Sequence, residues 1–432
     1  MRIEKLTLQN FRLFENREFS FHPQFNLIIG ENGSGKSSLL RGFIVALRYF
    51  LEDFVFESKE GQLENNDIRE NIISENNNDL RVEKEIPIIL KMNFEAKFLQ
   101  NEAEEESFST ENIFWGKQSK NNKFVEKASY TMPYLPDNWP LESKVLAPLV
   151  VFYGCNRLWL SKAHKNLHEN AMTAKYSRRD GYKDWAKAQA DSTQLIEWLL
   201  KQNIIAFQEG KESLGWRVLN IALKKCFEEF SHISFMAKEG DLVVHFVGGH
   251  RQLFKHMSDG QRCMIGLIGD MVRRAVLLNP QLGDKILEET SGVVLIDELD
   301  LHLHPKWQRR IINDLKITFP KVQFICTTHS PQLIGQAKPE EIIILDQETT
   351  RHPAQSYGMD SNWILRHVMG GKDRDPVVAA KLDDVFDDIE NANFEMAQSK
   401  IIELRKEIGE HPELVEAEVL IHRYTHLYED EE

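Results

Sequence analysis

Cysteine is scarce in this chain, and long apolar runs are missing. Its 432 residues include four cysteines, Cys155, Cys226, Cys263 and Cys326. They lie far apart in apolar sequence, so they form neither a zinc spacing nor a disulfide framework, and buried reduced thiols are expected. No stretch approaches the roughly 20 apolar residues of a membrane span, so no membrane association is expected. The opening Met1-Arg2-Ile3-Glu4-Lys5 runs directly into strand-like sequence without the apolar core of a signal peptide, which points to the cytoplasm. A basic excess is also lacking. The formal net charge of −14 excludes a surface that is basic all over, though not a local basic groove. No heptad run is long enough for an extended coiled-coil arm, and no internal repeat stands out. What remains is an ordinary globular composition, 42% hydrophobic, with a length that suggests two or three structural units.

The most informative stretch begins at Phe25-Asn26-Leu27-Ile28-Ile29. This apolar run ends in Gly30-Glu31-Asn32-Gly33-Ser34-Gly35-Lys36-Ser37-Ser38, and an amphipathic segment follows from Leu39 to Phe50. The order is strand, glycine-rich loop, helix, with the G-x-x-x-x-G-K-[ST] pattern in register. Glycines let the backbone turn its N–H groups inward, and a helix starting near Lys36 points its positive end at the same place. Lys36 is therefore expected at the β- and γ-phosphates of a nucleotide, and the Ser37 hydroxyl at Mg2+. Upstream, Ile3, Leu6 and Leu8 alternate as in a strand. Arg12, in the turn after it, either returns to the nucleotide or is an exposed turn arginine.

A second strong signal is Gly292-Val293-Val294-Leu295-Ile296, a continuous apolar run of the kind that forms a fully buried parallel strand. It ends in Asp297-Glu298, where ligands bind in open α/β sheets. Asp297 suits a Mg2+ water shell, and Glu298 suits a general base acting on water. Val322–Cys326 is another buried strand. It leads to Thr327-Thr328-His329-Ser330, so His329 is expected at the same sheet edge, within reach of a γ-phosphate. Met257-Ser258-Asp259-Gly260-Gln261-Arg262 precedes an apolar helix from Cys263 to Leu278, with Ser258 a natural N-cap at an anion-binding helix entrance. His302 and His304 invite a metal reading, but with no third ligand they also read as hydrogen-bonding loop histidines. Pro305 should open a helix over 306–319.

The rest is less specific. Residues 53–85 are rich in Asn, Glu and Asp, including Glu64-Asn65-Asn66-Asp67, and read as a solvated insertion. Strands are expected at 86–94, 124–132 and 145–153, giving a parallel core interrupted by antiparallel strands. Residues 156–230 read as mainly helical. Their first half interleaves Arg157, Lys162, Lys165, Lys175, Arg178, Arg179, Lys183 and Lys187 with Trp159, Tyr176, Tyr182 and Trp185. That mixture suits phosphate contact with base stacking, and it equally suits a solvated helical face with core aromatics. Beyond Ser361 the spacing is helical throughout.

Taken in order, these motifs resemble the ABC-type ATPases of the Rad50, SMC, RecF and OLD group. Gly30–Ser37 resembles a Walker A motif and Ser258-Asp259-Gly260-Gln261 the ABC signature. Val293–Glu298 resembles Walker B with its catalytic glutamate, and Thr327–Ser330 the switch-histidine loop. The opening Leu6-Thr7-Leu8-Gln9-Asn10-Phe11-Arg12 is similar to that group's N-terminus. The run from Asp297 to Pro305, with Thr328-His329-Ser330-Pro331, is closer to the OLD-like branch. The short core and helical tail look most like the ATPase subunit of the Septu anti-phage system, also found with some retrons.

The resemblance implies an α/β head: a mixed core sheet with flanking helices and an antiparallel β lobe, a helical insertion and a C-terminal α-helical module. The implied divisions are an ATPase lobe over 1–155, the insertion over 156–232, a second ATPase lobe over 233–350 and the helical module over 351–432. ATP and Mg2+ are the implied ligands. Gly30 to Ser38 and Arg12 would hold the nucleotide in one copy, and Ser258, Gly260 and Gln261 would complete the site from a second copy packed head to tail, in a dimer or higher oligomer. Ser37 and Asp297 would hold the metal, with Asn156 as stand-in for the Q-loop glutamine. Lys36, Glu298 and His329 would carry the chemistry. Asp259 departs from the signature pattern and puts an acid at the inter-subunit phosphate contact. The residues after the core read as helices without the strand-borne carboxylate clusters of a Toprim nuclease, and no Cys/His nuclease site is evident, so any cutting is expected from a separate nuclease, of HNH type, regulated by the ATPase. A DNA-binding repair clamp like RecF is the alternative, with the 157–187 stretch as its DNA surface.

Overall fold

The computed structural model describes residues 1–51, 61–76, 79–85, 88–101, 104–120, 123–125, 145–157, 167–187, 192–236, 238–346, 349–371 and 374–429. Trp159, Lys162 and Lys165, and positions 126–132 of one expected strand, lie outside the described residues. In chain order, β1 (Arg2–Phe11) and β2 (Phe14–Ser20) are followed by β3 (Phe25–Ile29) and helix α1 (Lys36–Phe50). Next come β4 (Arg69–Asn76), β5 (Asp79–Glu85), β6 (Ile88–Asn101), β7 (Glu104–Lys120), β8 (Lys123–Val125) and β9 (Leu149–Tyr153). Helices α2 (Leu167–Thr173), α3 (Ser192–Glu209) and α4 (Leu214–Cys226) precede β10 (Phe230–Met236), β11 (Asp241–Phe246), β12 (Arg251–Leu253) and α5 (Asp259–Leu278). The remaining strands are β13 (Gly292–Ile296), β14 (Val322–Thr327), β15 (Ile342–Leu345) and β16 (Thr350–Arg351).

The core sheet has the order β16-β15-β3-β14-β13-β9. All neighbours are parallel except the short β16. β3, β13, β14 and β15 are buried at every residue, which is why they read as mainly apolar runs. Their register aligns one edge: Ile296 lies beside both Cys326 and Tyr153, and Thr327 beside Ile28. The ends of β3, β14, β13 and β9 thus open side by side, and the loops that leave them meet there.

A second sheet, β2-β1-β6-β7-β8, is antiparallel. It supports α1, whose Phe50 ring stands edge-on to Phe94 at 5.2 Å. Gly42 lets that helix approach closely, because a Cβ there would come within 2.9 Å of Leu8 Cδ2. Gln323, wholly buried on β14, ties the two sheets together. It accepts from Ile3 N at 2.7 Å and donates to Ile3 O at 2.8 Å and His22 O at 2.9 Å. Each polar atom of the buried amide is thereby matched.

Three sequence expectations need correcting. The polar run at 64–67 is not simply solvated: Asp67 is fully buried, with Arg12 Nε at 2.8 Å and Arg41 Nη2 at 2.9 Å from its carboxylate. The helix expected over 306–319 is two, Pro305–Gln308 and Ile311–Thr318. Between them Arg310 leaves helical geometry (φ −132), and its guanidinium bridges Asp314 at 3.0 Å and Glu228 at 2.7 Å. The basic-aromatic stretch is divided: among its described residues Lys175, Lys183 and Lys187 are exposed, but Arg157, Arg178, Tyr182 and Trp185 are interior. Arg178 is wholly buried and donates to Leu278 O at 2.6 Å and Val145 O at 2.5 Å, while Tyr182 and Trp185 are core side chains.

Residues Asn362–Glu432 form a separate compact unit. Its helices Pro376–Glu390, Phe394–Ile408 and Pro412–Glu429 bury Leu382, Val385, Ile401, Leu404, Leu414 and Ala417 in a core of their own. The division falls at Ser361/Asn362, within the region expected to be the helical module.

Burial by itself would push the Asp67 carboxyl up. The hydrogen bonds from Arg41 and Glu64 N–H, with the two guanidinium charges, outweigh burial and hold it below its ordinary value. Removing it leaves Arg12 and Arg41 facing each other, partly solvated. Asp67→Ala should therefore lower unfolding stability by about 2–4 kcal/mol in urea titrations at neutral pH. Because the folded carboxyl titrates low, the difference from wild type should be fully present above the unfolded value of about 4 and fade as pH falls through the lower folded value.

Candidate nucleotide-binding site

The phosphate-loop sequence does take up the expected strand-loop-helix form. α1 begins at Lys36 with no acid in its first turn, so nothing on the helix offsets its positive end. Gly33 and Gly35 have φ of +84 and +104, in the region that side chains avoid. At Gly30 space decides instead, since a Cβ would lie 2.3 Å from Leu345 O. Glu31, Asn32, Gly33 and Ser37 are exposed, whereas Ser34, Lys36 and Ser38 are buried. Lys36 Nζ donates to Gly30 O and Glu31 O, both at 2.8 Å. Burial lowers its pKa from the ordinary lysine value, and the nearby charges of Asp297 and Glu298 partly restore it.

The acidic pair stands just past the end of β13, with β14 between it and β3. Asp297 N donates to Tyr153 O at 2.8 Å, continuing the sheet by one residue. Thr327 Oγ1 donates to Asp297 Oδ1 at 2.6 Å and accepts from Glu298 N at 2.7 Å. Glu298 has φ +50, a left-handed conformation that costs a non-glycine residue on the order of 1 kcal/mol. Its surroundings enforce the turn: Leu299 N donates to Thr327 O at 2.8 Å, and Arg157 donates to the carbonyls of both Asp297 and Glu298. His329 is exposed between buried Thr328 and Ser330. Thr328 Oγ1 donates to Asp300 Oδ1 at 2.5 Å, and Thr328 N to Ile28 O at 3.3 Å. The histidine loop therefore hangs from the strand that feeds the phosphate loop.

The segment expected to be the signature opens α5. Ser258 is the N-cap of α5 and forms a reciprocal capping box with Gln261: Gln261 N donates to Ser258 Oγ at 3.4 Å, and Ser258 N to Gln261 Oε1 at 3.1 Å. Asp259 is paired with Arg262, so the acid that departs from the signature pattern carries its own counter-charge. Gly260 is packed against the loop after the acidic pair, where a Cβ would lie 2.4 Å from His302 O. Among the described residues, no hydrogen bond or ion pair joins 258–261 to 30–38.

Other expected site residues are placed as follows. Arg12 has φ +50 and is held by Asp67, beside Leu13 and Phe14, which pack on Gly35. Asn156 is exposed just beyond β9, at the same sheet edge as Asp297. His304 caps the helix Pro305–Gln308, its Nδ1 accepting from Lys306 N at 3.2 Å, and His302 has φ +62 in a tight loop. Among the described residues no three His, Cys, Asp or Glu side chains converge as a metal site. Of the expected DNA surface, Arg157 and Arg178 are buried, while Lys175, Lys183 and Lys187 are exposed. Sequence reasoning gave Arg157 to that surface, and only its position four residues past a buried strand hinted otherwise. The reciprocal role of Gln261 is legible in the Ser-x-x-Gln spacing of a capping box.

These residues fit a nucleotide with Mg2+. Ser34 Oγ is buried without a partner, the two carbonyls on Lys36 are replaceable by phosphate oxygens, and Ser37 and Asp297 offer the hard oxygen donors that Mg2+ prefers. Phosphate-loop turn, acidic pair and His329 at one end of the sheet, with a capped α5, are the features of an ABC-type ATPase of the Rad50/SMC/RecF group. The chain belongs to the family described as "AAA domain, putative AbiEii toxin, Type IV TA system", whose profile matches residues 25–335. It is 26% identical to the "Retron Vc95 probable ATPase" of Vibrio cholerae over 80% of this chain and 74% of that protein. It is 34% identical to the "Septu protein PtuA" of Bacillus thuringiensis over 30% of this chain and 35% of that one. The SMC head domain from Thermotoga maritima superposes with a TM-score of 0.40 at 14% identity, covering 82% of this chain and 98% of that domain.

The contact at Gly260 is backbone and cannot yield cheaply. Gly260→Ala should destabilise the protein by about 1–3 kcal/mol through forced displacement of the 302 loop, read as a lowered thermal midpoint. Ser258→Ala removes only a cap and should cost about 1 kcal/mol.

Proposed function

We propose that this chain is the ATP-hydrolysing subunit of a prokaryotic anti-phage defence complex. In this reading it works in the cytoplasm and controls a separate nuclease of HNH type. The observation that carries the ATPase part is the meeting of Lys36, Asp297 and Glu298 at one sheet edge, close enough for their charges to act on one another. The defence part is supported by the likeness to retron and Septu proteins.

In the proposed mechanism, backbone N–H groups of Gly30 to Ser38 and the positive end of α1 bind the phosphates. Lys36 shifts from the loop carbonyls to the β- and γ-phosphates, and Arg12 lends charge nearby. Ser37 and Asp297, with Asn156, would hold Mg2+, which supplies charge neutralisation when bound. Glu298 accepts the proton of the attacking water, and His329 hydrogen-bonds the γ-phosphate. Ser258, Gly260 and Gln261 complete the site from a second copy. Among the described residues no hydrogen bond or ion pair joins them to the phosphate loop, which supports this, as does the exposure of the Ser258 cap. ATP then stabilises the head-to-tail pair, or a higher oligomer, and hydrolysis releases it. The nuclease is proposed to dock on the C-terminal helical unit, where Val377, Met396, Ile402 and Val419 are exposed.

The test is ATP-dependent pairing, followed by light scattering. Glu298→Gln should slow turnover about 10³-fold, leaving a measurable residual rate, and accumulate a stable ATP-bound pair. Ser258→Arg should abolish pairing while a single head still binds a fluorescent ATP analogue, and Lys36→Ala should lose that binding. Normal hydrolysis by Glu298→Gln would reject the base, and undiminished pairing by Ser258→Arg would reject the trans site.

The exposed Lys175, Lys183 and Lys187 favour a second reading, a DNA-binding clamp. Reversing all three to glutamate should weaken duplex DNA binding by about 10-fold or more at 0.1 M salt, measured by anisotropy. Unchanged binding removes the clamp reading.

A further inference from the structure

Arg157 is a buried cation with an unusual set of partners. It is 2% exposed, and its guanidinium donates to the backbone carbonyls of Gly154 at 3.2 Å, Asp297 and Glu298. Its own carbonyl accepts a weak hydrogen bond from Cys263 Sγ at 3.8 Å. Burying an arginine is costly unless its donors are met, and a carboxylate is the usual answer. Here the planar fork spans two successive carbonyls, one on each side of the Glu298 N–H. The residue between them, Glu298, has φ +50. Such a conformation persists only where the surroundings over-determine it.

The geometry points to Arg157 as a positioning residue for ATP hydrolysis: its guanidinium holds the Asp297-Glu298 backbone in the left-handed turn that presents the Glu298 carboxylate. This deepens the ATPase reading above and rests on it. Thr327 fixes the same turn from the other side, through Glu298 N and Leu299 N. Both tethers grip the backbone of the turn and neither bonds the Glu298 carboxylate, so both act on where it stands. Arg157 also binds Gly154 O, so the turn is fastened to the segment that carries Asn156. The metal side and the base side of the site are thereby held by one side chain. A lysine keeps the charge but presents a point, not a fork, and cannot hold the successive carbonyls in that geometry.

The experiment compares Arg157→Lys, Glu298→Gln and the double variant in single-turnover ATP hydrolysis, alongside binding of a fluorescent ATP analogue. Arg157→Lys should slow the chemical step about 10²-fold while nucleotide affinity stays within about 3-fold, because a displaced base costs rate and not binding. Added to Glu298→Gln, it should cost little more, since both changes remove the same function. Full activity in Arg157→Lys, or losses that simply multiply in the double variant, would overturn the inference. Amide hydrogen exchange at Glu298 and Leu299 supplies a readout that needs no hydrolysis. It should quicken about 10-fold or more in Arg157→Lys while exchange in α1 stays unchanged. Unchanged exchange at those amides sinks the proposal. A wild-type protein without ATPase activity sinks the functional reading, and the exchange result then still decides the tether. If Arg157→Lys fails to fold by circular dichroism, Arg157→Gln replaces it in the same measurements.

Discussion

A single hydroxyl decides where the two acids stand. Thr327 Oγ1 gives its proton to Asp297 and takes the N–H of Glu298, at 2.6 and 2.7 Å. It can do so because β14 lies beside β13 with Cys326 level with Ile296, which brings Thr327 alongside Asp297. That register is enforced by burial. Both strands are closed in on both faces, so a slip of one residue would drag Asp297 or Gly292 to a place that cannot accept it. At Gly292 there is no slack, since a Cβ would come within 2.0 Å of Leu149 O. The chemistry proposed at the edge thus depends on apolar packing one layer down.

Legibility in the sequence followed the range of the interactions. The strand, loop and helix around Gly30–Ser38 are local, and so is the acidic pair at the end of an apolar run. Both stand where periodicity and motif spacing put them. The parallel core and the helical C-terminal unit were legible for the same reason. Charged residues whose fate depends on distant backbone were not. Arg157 meets carbonyls 140 and 141 residues away, and Arg178 meets one 100 residues away. Apart from the place of Arg157 just past a buried strand, little in their own neighbourhoods marks them, so each reads as surface. Asp67 sits in a run of Asn and Glu that looks solvated, yet Arg12, 55 residues earlier, draws it into the interior.

Arg12, Arg41 and Asp67 show the same logic near the phosphate loop. Two arginines beside an anion site would repel one another, and a buried carboxylate between them removes that difficulty. Arg12 remains partly exposed at 29%, so the ion pair holds it in place without enclosing it. Asp259 is handled similarly by Arg262 at the signature end, where an unpaired acid would oppose a phosphate.

Gly260 is seated directly on the carbonyl of His302, only a few residues past the acidic pair. The start of α5 and the loop after the acidic pair therefore meet at close quarters, and neither can shift there without the other. In the proposed two-headed assembly, the part that completes a neighbour's pocket would touch the part that closes its own.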